Sequence, residues 1–351
     1  MPIVYKYRLG RGPITKDQNG KDIEIFERDL KSLSEDKIFV PTPKLLNDPT
    51  EGLFDDTAFS AGLGFFKKIV EESITRVEQA YAKIKEHLKT AGIYSLSKTA
   101  TNELMWAYYA NGHNGYAIKI DTDVLYKSLN GGSRFANIHA FDVKYVSSLP
   151  IIDFSIFNHK DSNNPIQRFV GCKSKSWKHE QEYRLIFDRG GELKHIDYRA
   201  IKGFVFGYLM PKEDIEYVMN LFKGRHLSYS KICLNPKNYQ FYTEDIEDQY
   251  KDAPNYHPSR IQYDFDEMIE EASLYDETIL SHQREAKEAL EIVACEPFVD
   301  KINFLSLSED EQNQGSFIIT INADYKNPIV LQPMKIFRFT VDKDGTIIRT
   351  E

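Results

Sequence analysis

The stretch that most constrains what this chain can fold into is Ser174 to Asp188, S-K-S-W-K-H-E-Q-E-Y-R-L-I-F-D. From Glu180 onward it alternates: Glu180, Glu182 and Arg184 take one side of a β-strand, and Tyr183, Leu185 and Phe187 take the other. The apolar side belongs to a core. The polar side carries two carboxylates about 6.5 to 7 Å apart, since a strand rises about 3.3 Å per residue, with a guanidinium next in line. Like charges at that spacing raise each other's pKa unless a cation sits between them. The pattern suits acid, base or cation-stabilising chemistry, and it also suits a plain strand with one solvated face.

Two further strands have a polar side. Ile3, Tyr5 and Tyr7 share one face of the first strand and Val4, Lys6 and Arg8 the other, with Gly10, Gly12 and Pro13 ending it. In I-Y-S-L-S, Ser95 and Ser97 oppose Tyr94 and Leu96, and small hydroxyls of this kind allow a ligand close approach and hydrogen bonding. Helical spacing is expected over 22–33, over 65–88 as one long helix, over 103–110 behind an Asn102 cap, over 122–129, and from Pro211 through Leu221. Strands are expected over 37–40, 115–120, 140–146, 201–207, 231–234 and 240–243, and a loop over 150–165. The turn L-N-D-P-T-E-G (46–52) reads as structural, because Asn47 and Asp48 before a proline favour side-chain to backbone bonds.

Strands and helices do not alternate regularly, so the class is α+β with a mixed sheet rather than a doubly wound fold. The expected domains are 1–245, a polar, acidic, proline-bearing linker at 246–263, and a C-terminal part, 264–351. That part opens with a helix over 264–296 carrying eleven Asp/Glu against two Lys/Arg, which suits a helix that docks to a protein partner, dimerises or folds back on its own domain. A small β unit follows, with strands at 317–322 and 335–341.

The net charge of −8 argues against a general polyanion binder. Cys172, Cys233 and Cys295 are odd in number and far apart, so neither a disulfide framework nor a zinc site is expected. The start of the chain does not resemble a signal segment and no apolar run approaches membrane length, so a cytoplasmic protein without membrane partners is expected. P-loop, Rossmann, H-E-x-x-H and G-x-S-x-G motifs are missing, the nine histidines are scattered, and no metal site is expected.

The segments Y-K-Y-R, L-N-D-P-T-E, S-L-S, L-M-W-A-Y-Y-A, H-N-G, W-K-H-E-Q-E-Y-R-L-I and I-K-G-F-V-F-G resemble those of a bacterial family, domain of unknown function 2971, over about residues 1–245. The chain departs from that family's usual L-M-W-S-H-Y-A at Ala107 and Tyr108. A weaker similarity is to ADP-ribosyltransferases of the arginine, serine-x-serine, glutamate-x-glutamate type, although Ser-Leu-Ser stands in place of Ser-Thr-Ser. This second resemblance implies a related fold and NAD as substrate, transferred to a protein or nucleic-acid acceptor. It further implies that Arg8 grips the NAD phosphates, Ser95 and Ser97 shape the nicotinamide side, Glu182 is the catalytic carboxylate and Glu180 faces the acceptor. The competing expectation is a noncatalytic sensor or binding module acting through protein partners. A nuclease lacks a metal-binding carboxylate cluster beyond Glu180 and Glu182.

Overall fold

The computed structural model describes residues 3–16, 20–130, 138–153, 165–258, 261–310, 313, 315–325 and 334–350. By Cα proximity the chain divides into two compact units, Met1–Tyr126 with Asn137–Pro254, and Lys127–Ala136 with Asn255–Glu351. The break after Pro254 falls inside the polar segment expected to link two domains.

The first unit is built on an eight-stranded sheet. Its strands in chain order are β1 (Ile3–Arg8), β2 (Gly92–Ser97), β3 (Tyr116–Asp121), β4 (His139–Asp142), β5 (Glu182–Phe187), β6 (Ile201–Phe206), β7 (Ser228–Leu234) and β8 (Phe241–Ile246). Their spatial order is β8-β7-β6-β3-β1-β2-β5-β4, antiparallel throughout except for the parallel β6–β7 pair, so the sheet is mixed as expected. That parallel pair explains Gly203 in I-K-G-F-V-F-G: its φ is +155°, and a Cβ there would lie 1.9 Å from the Ser228 carbonyl oxygen.

Register decides which residues share a face. Tyr5 pairs with Ser97, and Ser97 pairs with Glu182, so Tyr5, Ser97 and Glu182 form one row on one side of the sheet, with Tyr7, Ser95 and Arg184 in the next row. The helix α4 (Glu103–Tyr109) packs on this side, through a cluster of Tyr7, Met105, Trp106, Ala117, Val205 and Ile232. Asn102 caps α4 by accepting from Leu104 N and Met105 N, and the buried Trp106 indole donates to Ala100 O at 2.7 Å, which fixes the helix against the strands. The opposite side carries Tyr94, Tyr116, Phe204 and Phe206, met by Phe26 of α1 (Ile25–Ser34) and by Phe222 just after α7 (Lys212–Leu221).

Two long helices expected from periodicity are each broken. In place of 65–88 stand α2 (Thr57–Lys67) and α3 (Glu71–Thr90), joined by a three-residue turn. In place of 264–296 stand α8 (Phe265–Ser273), a 3₁₀ turn at Glu277–Ser281 and α9 (Gln283–Ala294). Asp276 accepts from Thr278 N there, so a local side-chain bond competes with continued helix. The strand expected over 140–146 is likewise two, His139–Asp142 and Lys144–Val146, and the 22–33 helix begins only at Ile25 after a short strand at Asp22–Glu24. Most of the loop expected over 150–165 lies outside the described residues.

In the second unit, the strands β9 (Val299–Glu309), β10 (Phe317–Tyr325), β11 (Met334–Val341) and β12 (Ile347–Arg349) form an antiparallel meander. The apolar stripes of α8 and α9 cover it: Met268, Ile269, Ala286, Leu290 and Val293 share one cluster with Leu305, Ile319, Ile321, Phe337 and Phe339. The acidic helix therefore folds back on its own unit and turns its carboxylates outward. No helix among the described residues is long and apolar enough to cross a membrane.

Phe337 is wholly buried at the centre of that cluster. Phe337→Ala is expected to cost the second unit about 3–5 kcal/mol in urea unfolding followed by circular dichroism. Both tryptophans, Trp106 and Trp177, lie in the first unit, so tryptophan emission follows that unit's own unfolding. A loss under about 1 kcal/mol would show that this ring is not packed as described.

Candidate functional site

Five charged side chains meet behind the row of Ser97 and Glu182. Arg184, at 0% exposure, is the centre. Its Nε donates to Glu182 Oε1 at 2.7 Å, its Nη1 and Nη2 grip Glu51 in a fork at 2.5 and 2.7 Å, and Nη1 also reaches Val170 O. Lys173 Nζ stands between the two glutamates, 2.5 Å from Glu180 and 3.3 Å from Glu182, and over the Trp177 ring at 4.9 Å. The second oxygen of Glu180 accepts from the Tyr109 hydroxyl at 2.5 Å. Asn47 stands beside that hydroxyl.

The polar face of the central strand is thus not solvated. Glu180 and Glu182 are each 4% exposed, and burial without partners would cost several kcal/mol per ion. Three carboxylates against two cations leave the cluster with one net negative charge when all are ionised. Burial and the placing of the two cations split the two glutamates. Burial pushes Glu182 upward, but the charge and hydrogen bonds of Arg184, then Lys173 and a bond from Ser95, overturn it and hold the carboxyl down at about 2. For Glu180 burial wins, and the nearby Glu182 charge adds to it against Lys173 and Tyr109, so its pKa is raised. Burial, with the Glu180 bond second, likewise raises the Tyr109 phenol.

Glu182 lies on β5 as expected, but the strand begins there, and Glu180, expected on it as well, does not lie on that strand. It ends a 3₁₀ turn, Lys175–Glu180, capped at its start by Ser174. Gln181 then takes a left-handed conformation, φ +45°, which turns the chain and breaks the alternation. The carboxylates still converge, because the kink swings Glu180 back toward Lys173. Ser95 and Ser97 are both at the site in positioning roles: Ser95 bonds Glu182, while buried Ser97 donates to the Glu180 carbonyl at 2.7 Å. The Glu182 amide donates to the Tyr145 hydroxyl at 2.7 Å.

Arg8 is not brought to this cluster. Three residues beyond Tyr5, it falls on the opposite side of the sheet from Ser97 and Glu182, where it pairs with Asp29 at 3.5 Å and lies beside Tyr94. Lys6 shares that side; burial, then Arg8, lower its pKa to about 7. The residues missed by sequence reading are Lys173, Glu51, Tyr109, Tyr145 and Asn47. Only Glu51, Asn47 and Tyr109 carry a signal, inside L-N-D-P-T-E and L-M-W-A-Y-Y-A, segments that read as a structural turn and a helix.

Residues 105–185 match the model of a family described as Protein of unknown function (DUF2971). The match covers 81 of the chain's 351 residues. The DUF2971 stretch supplies Tyr109, Tyr145, Lys173, Glu180, Glu182 and Arg184, while Asn47, Glu51, Ser95 and Ser97 come from outside it. No curated protein matches the chain. No solved structure matches it either.

Removing the central cation tests this geometry. Arg184→Met leaves Glu51 buried without its counter-ion and Glu182 with Lys173 alone, and is expected to cost about 3–5 kcal/mol at pH 7 in urea unfolding. The sign with pH follows from Glu182: its folded pKa is below the unfolded value, so its contribution is present above about pH 4.3 and is lost as pH falls toward 2. Glu180, raised, contributes below its unfolded pKa and loses that contribution as pH rises through its folded value. The deficit of Arg184→Met should therefore shrink between pH 7 and pH 3, as acid neutralises the orphaned carboxylates; a pH-independent deficit would contradict the network.

Proposed function

We propose that this chain cleaves the nicotinamide–ribose bond of NAD and passes ADP-ribose to a macromolecular acceptor, with Glu182 and Glu180 as its catalytic carboxylates. The observation that carries the reading is the split between the two. One carboxylate is held ionised and its neighbour is pushed toward the protonated form, and such a division marks acid and base roles in glycosidic chemistry.

Breaking the bond develops an oxocarbenium cation on the ribose. An ionised Glu182 in a buried cluster stabilises that charge more in the transition state than in the ground state. The Lys173 ammonium fills the place between the carboxylates, and the positive nicotinamide ribose takes that place on binding. Glu180, bonded by Tyr109 and with its proton affinity raised, orients the acceptor and in its ionised form receives the acceptor's proton. Ser95 and Ser97 act by fixing the two glutamates. Arg8 has no part in this site, so the phosphates are held by other groups.

The second reading, a noncatalytic binding module, is favoured by the 4% exposure of both carboxylates and by their complete pairing. Turnover separates the two. Wild-type protein is expected to release nicotinamide from NAD, and Glu182→Gln to abolish release and transfer together; that variant leaves two carboxylates facing two cations, so it should remain folded. Glu180→Ala should depress transfer by about 10² to 10⁴ while sparing hydrolysis, in which water replaces the acceptor. If both substitutions depress both reactions equally, the division of labour is wrong. If wild-type protein releases no nicotinamide, the binding-module reading stands.

A further inference from the structure

At the junction of α2 and α3, Phe65, Phe66, Ile69 and Val70 are 63, 46, 66 and 50% exposed. The turn that presents them is closed by its own backbone: Lys68 N donates to Phe65 O, and Ile69 N and Val70 N both donate to Phe66 O. The Phe65 and Phe66 rings meet edge to face at 5.5 Å. Four adjacent large apolar side chains on an ordered tip mark a surface that something covers.

The charges around the tip say what. Its sequence is F-F-K-K-I-V-E-E, two lysines before the aliphatic pair and two glutamates after it. Lys67 is used within the chain by Glu78 at 2.6 Å, and Glu72 by Arg76 at 2.6 Å. Lys68 and Glu71, both exposed, make no ion pair among the described residues and stand on either side of Ile69 and Val70. A two-fold axis passing by that pair sets Lys68 of one copy against Glu71 of the other, and does so twice. The tip is also electrically neutral on a chain of net charge −8, so two copies meet there with little repulsion. An anionic bilayer, by contrast, finds no net positive charge on it.

We propose that the α2–α3 tip is the interface of a symmetric homodimer, with Ile69, Val70 and the phenylalanines at its centre and the Lys68–Glu71 pairs at its rim. The inference stands apart from the catalytic reading and does not need it.

Sedimentation of the full chain over about 1 to 100 µM, concentrations at which interfaces of this class associate, is expected to show a reversible dimer. Ile69→Asp should leave it monomeric throughout. Lys68→Glu and Glu71→Lys should each weaken the dimer by about tenfold, because each sets like charges face to face twice, and the double exchange should restore it. All these positions are exposed, so circular dichroism should be unchanged. A chain monomeric at every concentration, a dimer indifferent to Ile69→Asp, or a double exchange no better than the singles would overturn the proposal. Vesicles of phosphatidylcholine and phosphatidylserine that capture monomeric wild-type protein but not Ile69→Asp would assign the tip to a membrane surface instead.

Discussion

A guanidinium with no exposure to water is the constraint on which the first unit depends. Arg184 cannot shed its charge, so its burial is tolerable only if carboxylates surround it in good geometry. Glu51 and Glu182 supply them. Glu51 comes from a turn between β1 and β2, which must therefore fold down onto β5. Lys173 and Tyr109 are drawn in for the same reason: a second buried carboxylate, Glu180, has to be satisfied once the first is fixed. The segments that look unrelated along the chain are thus partners in one balance of charge.

That balance links the architecture to the chemistry proposed for it. The central strands place Ser95, Ser97, Glu182 and Arg184 on one side of the sheet by register, and the left-handed Gln181 delivers Glu180 to the same spot. Burial, set against the stronger hold of Arg184 on Glu182 than of Lys173 on Glu180, then forces the glutamates apart in proton affinity. In the function proposed, a charge developing on the substrate takes the place held by the resident Lys173 ammonium.

Much of this was legible from residues alone. Alternation in E-Y-R-L-I-F placed Glu182 and Arg184 on one face, and the apolar run I-K-G-F-V-F placed β6 in the core. What alternation does not carry is register. Alternation puts Arg8 opposite Tyr5 and Tyr7 across its own strand, but only the pairing of Tyr5 with Ser97, and of Ser97 with Glu182, reveals that Arg8 and Glu182 are on different sides. Local backbone geometry is equally silent in a hydrophobic pattern: nothing in E-Q-E marks Gln181 as left-handed. The broken helices did leave a trace, since Asp276 is a cap residue inside an apolar period that otherwise runs on. Long-range partners such as Lys173 left none, because a lysine on a short strand looks like any surface lysine.

The most direct test of the account is the titration of the two glutamates themselves, followed by carbon-13 resonances of labelled glutamate side chains and assigned with Glu180→Gln and Glu182→Gln. The account predicts two separated transitions, with Glu182 still ionised well below pH 4 and Glu180 taking up its proton above the ordinary carboxylate range. Both carboxyls titrating together near pH 4.3 would contradict it, since that is the behaviour of two solvated glutamates on the open face of a strand.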